Sequence, residues 1–259
     1  MSSEQDDFAI QCDGLGKAYQ FYVNYNDRLR QVLFGRKRKY YREFWVLRGV
    51  EMKVRRGESL GIIGRNGSGK TTLLQIVCGI TAPTEGTIRT HGRIAPVLAL
   101  GAGFDYELTG RENAKIGCAI LGLSRSEAAE RLEAIADFAA VGEFLDQPLK
   151  YYSSGMASRL AFAVCAHVDA DILVVDEALS VGDEAFCQKC FKFFEEYRKR
   201  GTLVFVSHDL GQVAALCDRA VWIDQGRVRV AGDPAATTEA YHEALISEGD
   251  RVDRFHIGP

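Results

Sequence analysis

No stretch of the chain reaches 18 consecutive apolar residues, so no segment is long enough to cross a bilayer as a helix. The first residues, Met1-Ser2-Ser3-Glu4-Gln5-Asp6-Asp7, are acidic and polar, unlike a secretory signal. Charge of one sign is also lacking. The 32 Lys and Arg nearly balance 35 Asp and Glu, and a net −3 gives no global pull toward nucleic acid. Among seven cysteines there is one C-x-x-C, Cys187 to Cys190, with no second pair and no nearby histidine, which leaves a zinc pattern incomplete. Cys78, Cys118 and Cys165 sit singly in apolar stretches, as small core residues of a reducing compartment do. Internal repeats and low-complexity tracts are absent as well.

What is present is a hydrophobic fraction of 47% over 259 residues, enough for one α/β domain with an attached lobe. The chain is organised around Gly64-Arg65-Asn66-Gly67-Ser68-Gly69-Lys70-Thr71-Thr72, a G-x-x-x-x-G-K-[ST] phosphate-binding loop. Its context fits on both sides. Ser59 to Ile63 is a short apolar run of buried-strand type, and Thr72 to Val77 continues as a helix without a breaker. Small residues let the backbone curl so that N–H groups point inward, and a helix N-terminus adds positive potential. In such a loop Lys70 reaches the β- and γ-phosphates, and the Thr71 hydroxyl ligates Mg²⁺.

Upstream, residues 8–23 and Val46 to Val54 alternate as strands and predict a small antiparallel layer. Between them, Asn24 to Glu43 carries Arg28, Arg30, Arg36, Lys37, Arg38, Lys39 and Arg42 against Asp27 and Glu43. Leu29, Val32 and Leu33 fall at helical spacing there, and are expected to pack on protein while the basic residues face anionic lipid or an acidic partner. The plainer reading is a solvated loop.

Downstream, Gly86 to Arg89 and Arg93 to Leu98 read as strands with a turn at His91-Gly92. Residues 109–168 read as mainly helical, with Thr109/Glu112 and Ser124/Glu127 in capping-box spacing. Ile172-Leu173-Val174-Val175-Asp176-Glu177 is an apolar strand ending in two acids, where ligands bind in open α/β sheets. In a nucleotide site Asp176 holds Mg²⁺ and Glu177 orients or deprotonates the attacking water. A helix from Glu184 to Arg200, a strand from Thr202 to Val206 and then His208 follow. A hairpin turns at Asp224-Gln225-Gly226, and a helix spans roughly Ala235 to Glu248.

Phosphate loop, helical lobe, Asp176-Glu177 and His208 stand in the order of an ABC transporter ATPase, and the chain resembles that family over nearly its whole length. Tyr152-Ser153-Ser154-Gly155-Met156 before a helix matches the family's signature loop, with Ser153 and Gly155 kept and Ser154 and Met156 departing from the common form. Ser180-Val181-Gly182-Asp183 matches its D-loop, and Tyr19 the aromatic that stacks on adenine. The extended signature region, Asp-Glu-Ala-Leu-Ser-Val-Gly-Asp and Gly101-Ala102-Gly103-Phe104 look like the ATP-binding subunits of bacterial exporters of O-antigen, capsule or teichoic acid.

The resemblance implies a P-loop NTPase core of α/β class with a mainly parallel sheet, a helical lobe at about 104–168, an antiparallel edge layer and a helical tail at 232–259. It implies ATP and Mg²⁺ as cofactors, with catalysis by Lys70, Glu177 and His208. Two copies would pair as a homodimer, each nucleotide lying between one copy's phosphate loop and the other's Ser153 to Gly155. A separate transmembrane permease and a lipid-linked polysaccharide complete the implied partners, at the cytoplasmic face of the inner membrane, with no role for nucleic acid. Most relatives place a Gln where this chain has about Leu100, after Ala99, which leaves completion of the Mg²⁺ shell open. A carbohydrate-binding β-sandwich needs about 100 residues, and 27 follow Gly232, so none is expected. The rival readings fit less well. A soluble ABC ATPase of DNA repair or translation requires coiled-coil insertions or a second cassette, and a small-molecule P-loop kinase has no use for a signature loop.

Overall fold

A computed structural model describes residues 7–22, 24–34, 39–98, 101, 103–176 and 183–254. Two sheets pack on either side of one helix, and a helical lobe joins the other face of the larger sheet. The first sheet is antiparallel, with β1 (Phe8–Phe21) flanked by β2 (Arg42–Arg55) and β4 (Glu85–Thr90). The second has the order β5 (Ile94–Val97), β6 (Ile172–Asp176), β7 (Thr202–Val206), β3 (Ser59–Ile63), β8 (Arg219–Asp224), β9 (Arg227–Gly232). Its first five strands run parallel and β9 closes it antiparallel. The strands on either side of His91-Gly92 therefore separate, β4 to one sheet and β5 to the other.

Helix α2 (Lys70–Val77) lies between the sheets. Leu73, Leu74, Ile76 and Val77 bury against Ile10, Leu15 and Val54 on one side and Leu60, Val174 and Val204 on the other. The opposite face of the large sheet is covered by α6 (Glu184–Tyr197), α7 (Leu210–Leu216) and α8 (Pro234–Arg254). Here Phe138, Phe162, Phe186, Phe193 and Phe194 meet largely edge to face, at ring separations of 5.7–6.2 Å. Each such pair contributes about 0.5–1.5 kcal/mol beyond its buried area.

The helical lobe is built from α3 (Gly110–Ile120), α4 (Arg125–Ala139) and α5 (Ser154–Ala166). Both expected capping boxes form, Thr109 with Glu112 and Ser124 with Glu127. Helix α5 belongs to two cores. Leu160, Ala163 and Val164 face the lobe, and Phe162 and Ala166 face the sheet. A helix gripped on two sides fixes the loop at its start.

The stretch after β1 does form a helix, α1 (Tyr25–Phe34). Its apolar face is not packed on protein as expected: Leu29 is 56%, Val32 81% and Leu33 72% exposed. These three residues lie in the connection beyond the paired ends of β1 and β2. Arg36, Lys37 and Arg38 lie outside the described residues, as do Ala99 and Leu100.

Candidate functional site

The parallel strands bring the predicted residues to one edge. β3 runs into the phosphate loop, its neighbour β7 into His208, and the next strand, β6, ends at Asp176, which pairs in register with Val206. Glu177 follows directly but lies outside the described residues, together with Ser180 to Gly182.

Within the loop, Gly64, Gly67 and Gly69 take positive φ values of 151°, 77° and 106°. At two of them space is also limiting. A Cβ on Gly64 would meet the Ile223 carbonyl oxygen at 2.2 Å, and one on Gly69 would meet Leu47 Cδ2 at 2.7 Å. The loop is thus wedged between β2 and the β8–β9 hairpin. That hairpin turns at Gln225 (φ 46°) and Gly226 (φ 75°), both positive as a two-residue I′ turn requires. The Gly226 N–H donates to the Ser68 carbonyl at 2.9 Å, and its own carbonyl accepts from the Arg48 N–H at 2.9 Å. The turn pins the loop's back to the antiparallel sheet.

The loop's inner face carries donors. Helices α3 to α7 each begin with a Thr, Ser or Asp side chain accepting a backbone N–H, whereas α2 begins at Gly69 with no side-chain cap. Its first N–H groups therefore remain for an anion. Lys70 is 5% exposed, and its Nζ donates to the Gly64 and Arg65 carbonyls at 2.7 and 3.1 Å. Ser68 is equally buried, and its Oγ has no hydrogen-bond partner. An uncapped helix start, a buried ammonium and an orphaned hydroxyl fit a phosphate chain. Arg65 and Asn66 stand exposed at the loop's lip and Thr72 is half-buried.

The Thr71 hydroxyl donates to Asp176 Oδ2 at 3.1 Å. These two hard oxygens suit Mg²⁺, which takes one or two carboxylates plus phosphate oxygens rather than an all-protein cage. No cluster of three or more His, Cys, Asp or Glu forms among the described residues. Cys187 and Cys190 lie within α6, and burial pushes the Cys190 thiol up to about 12.

Tyr19, 38% exposed, projects from β1, with Lys17 Nζ 5.2 Å from its ring centroid. Lys17 pairs in register with Leu47, the residue against Gly69, so the aromatic is two residues along the strand from the loop's support. His208 is exposed at the end of β7. Ser153, Ser154 and Gly155 are not in this cluster. They open α5, where Ser153 Oγ accepts from the Met156 N–H at 3.2 Å, leaving the hydroxyl proton free to donate. Tyr152 before them is tied to the lobe: its phenol donates to the Phe144 carbonyl at 2.6 Å, and burial pushes its pKa up to about 12. Asp183 caps α6 by accepting from the Phe186 N–H at 2.9 Å.

Sequence reading missed the support from Gly226. The turn residues were its visible signal, but nothing local said what the turn would touch. Cavity size does not mark the site either. An open cavity of about 770 Å³ lies at the opposite edge of the sheet, between Lys53, Arg55, Glu58 and Arg219, where Arg219 is already paired with Glu58 at 2.7 Å.

Loop, strand-end acid and uncapped helix together define a nucleotide-binding P-loop fold. The ABC transporter family model matches residues 47–180. The chain is 50% identical over 213 residues to the ABC transporter protein AbcA of Aeromonas salmonicida, covering 82% of this chain and 69% of that one. It is 41% identical over 241 residues to the O-antigen export system ATP-binding protein RfbB of Klebsiella pneumoniae, covering 91% of this chain and 98% of that one. Its fold matches a dimeric ATP-binding cassette solved in a post-hydrolysis state with ADP and Pi, at a TM-score of 0.70, 19% identity, and coverage of 87% and 98%. The chain belongs to the ABC transporter family.

Proposed function

We propose that the chain is the ATP-binding and hydrolysing subunit of an exporter of a lipid-linked, O-antigen-like polysaccharide. The observation that carries this is the 41% identity to an O-antigen export ATP-binding protein across 98% of that protein's length, together with an intact phosphate cradle. In this reading Gly64 to Thr72 and Tyr19 hold the nucleotide, and Thr71 and Asp176 hold Mg²⁺. The metal, when bound, neutralises charge on the phosphates. Lys70 holds its charge against the β- and γ-phosphate positions, Glu177 orients the attacking water, and His208 lies beside them at the next strand end.

The subunit works as a homodimer with a separate transmembrane permease at the cytoplasmic face of the inner membrane. Ser153, Ser154, Gly155 and Asp183 act on the nucleotide of the second copy. Their separation from the phosphate loop and the free Ser153 hydroxyl proton support this, as does a lobe, residues 104–168, gripped firmly enough to present them. No helix among the described residues is long and apolar enough to cross a membrane, so transport needs the permease. The exposed face of α1, with Arg28 and Arg30 beside Leu29, Val32 and Leu33, rests on the anionic leaflet.

The test is genetic. Deleting the gene should remove polymer from the cell surface and leave lipid-linked polymer inside. Wild type should restore display and Lys70→Ala should not. Unchanged surface polymer in the deletion strain overturns the reading.

A further inference from the structure

We infer that Arg159 is a positioning residue that locks the start of α5 to the start of α6, so that Ser153 and Asp183 reach the second copy's nucleotide as one unit. This rests on the shared-site reading above. Arg159 lies in the second turn of α5, with its side chain 21% exposed, and its Nη1 stands 3.9 Å from Asp183 Oδ2. The other oxygen of that carboxylate is occupied, since Asp183 Oδ1 accepts the Phe186 N–H that begins α6. One aspartate therefore ends two structures: it caps α6 and faces the cation of α5. At the other end of the link, Ser153 caps the helix that carries Arg159.

Both helices are immobilised behind these caps. Leu160 and Phe162 next to Arg159 are buried in the two cores, and Phe186, Cys190 and Phe194 bury α6. Charge across the gap thus fixes the relative height of two helix starts that the cores already hold in orientation. The guanidinium is a poor choice if its task is filling space. Its Nε is buried with no hydrogen-bond partner. A buried donor left unmade costs stability, and an apolar side chain of similar length would avoid that cost. Charge and a long planar reach are what a link to Asp183 uses.

The test uses the purified full-length chain with Arg159→Met, Arg159→Lys, Asp183→Asn, the Met/Asn double variant and Ser153→Arg. Arg159→Met should lower kcat by about tenfold to a hundredfold, the range for misplacing a group by about an ångström. Nucleotide affinity of the isolated subunit should hold within about twofold, and its melting temperature should not fall. Arg159→Lys should recover a large part of kcat, and the double variant should be no slower than the worse single one. Wild-type kcat in Arg159→Met, or losses that simply add, overturn the inference. So does a loss of kcat matched by a fall in melting temperature and nucleotide affinity, which is the mark of a merely structural residue. Ser153→Arg separates the two claims. If it is inactive while Arg159→Met is normal, the inference alone fails. If Ser153→Arg turns over normally, the shared-site reading fails and the inference with it.

Discussion

Replacing Gly226 by Ala tests whether the β8–β9 turn holds the phosphate loop. The residue sits at φ 75°, and a Cβ there would meet the Val46 carbonyl oxygen at 2.2 Å and the carbonyl carbon at 2.9 Å. Left-handed backbone costs an L-residue about 1–2 kcal/mol. Overpacking typically costs about 1–3 kcal/mol more, and backbone cannot swing aside as a flexible side chain does. The sum of about 2–5 kcal/mol is a large share of the ~5–15 kcal/mol that holds a domain folded. Gly79 is the control. It has nearly the same φ, 71°, but nothing within 4 Å of a Cβ, so Gly79→Ala bears the conformational cost alone. Thermal melts should show Gly226→Ala destabilised clearly more than Gly79→Ala, at about 2–4 °C per kcal/mol. Nucleotide affinity should fall in Gly226→Ala only, because relief of the clash moves the N–H that holds Ser68. Equal melting shifts, or normal affinity in Gly226→Ala, would refute the idea that this turn supports the loop.

Asp176→Asn should weaken the Mg²⁺ dependence of nucleotide binding by about tenfold or more, read by titrating the metal at fixed nucleotide; an unchanged midpoint removes Asp176 from the metal. Changing Arg36, Lys37, Arg38 and Lys39 to Ser should leave the isolated subunit's ATPase rate unchanged but weaken binding to anionic vesicles, more at low salt than at high, since each nearby cation gains about 1 kcal/mol. Equal vesicle binding would make the stretch a solvated loop. Burial holds the His167 imidazole below its ordinary 6.5, although its ring nitrogen lies 2.8 Å from the Ala163 carbonyl. The unfolded chain then takes the proton first, so stability is full above pH 6.5 and falls as the pH drops below it. Denaturant midpoints at pH 7.5 and 5.5 should differ less in His167→Gln than in wild type.

Much of this was legible from local pattern. The loop, both capping boxes and the apolar strand ending at Asp176 are short-range features, and each formed as its residues require. Illegible parts depended on tertiary placement. Alternation predicted β4 and β5 but not that they join different sheets, because register with a distant strand decides that. Sequence reading does not find helix α7, because seven residues give too short a period to show helical spacing. Helical spacing found α1 but placed its apolar face inward, the usual outcome where a partner surface exists within the same chain. At the site, the Thr71 hydroxyl donates to the Asp176 carboxylate, bringing together two residues far apart in sequence. The Gly226 support and the Arg159–Asp183 approach join residues far apart in sequence, and no local signal encodes them.

We propose that two copies close on ATP through Ser153. The most direct measurement is the solution mass of Glu177→Gln, with and without ATP, alone and combined with Ser153→Arg. Loss of a positioned base slows turnover by about 10²–10⁴-fold, so bound ATP should persist. The expected result is a monomer without ATP, twice that mass with it, and a monomer that still binds ATP once Ser153→Arg is added. A dimer that forms regardless of ATP, or survives Ser153→Arg unchanged, would contradict it.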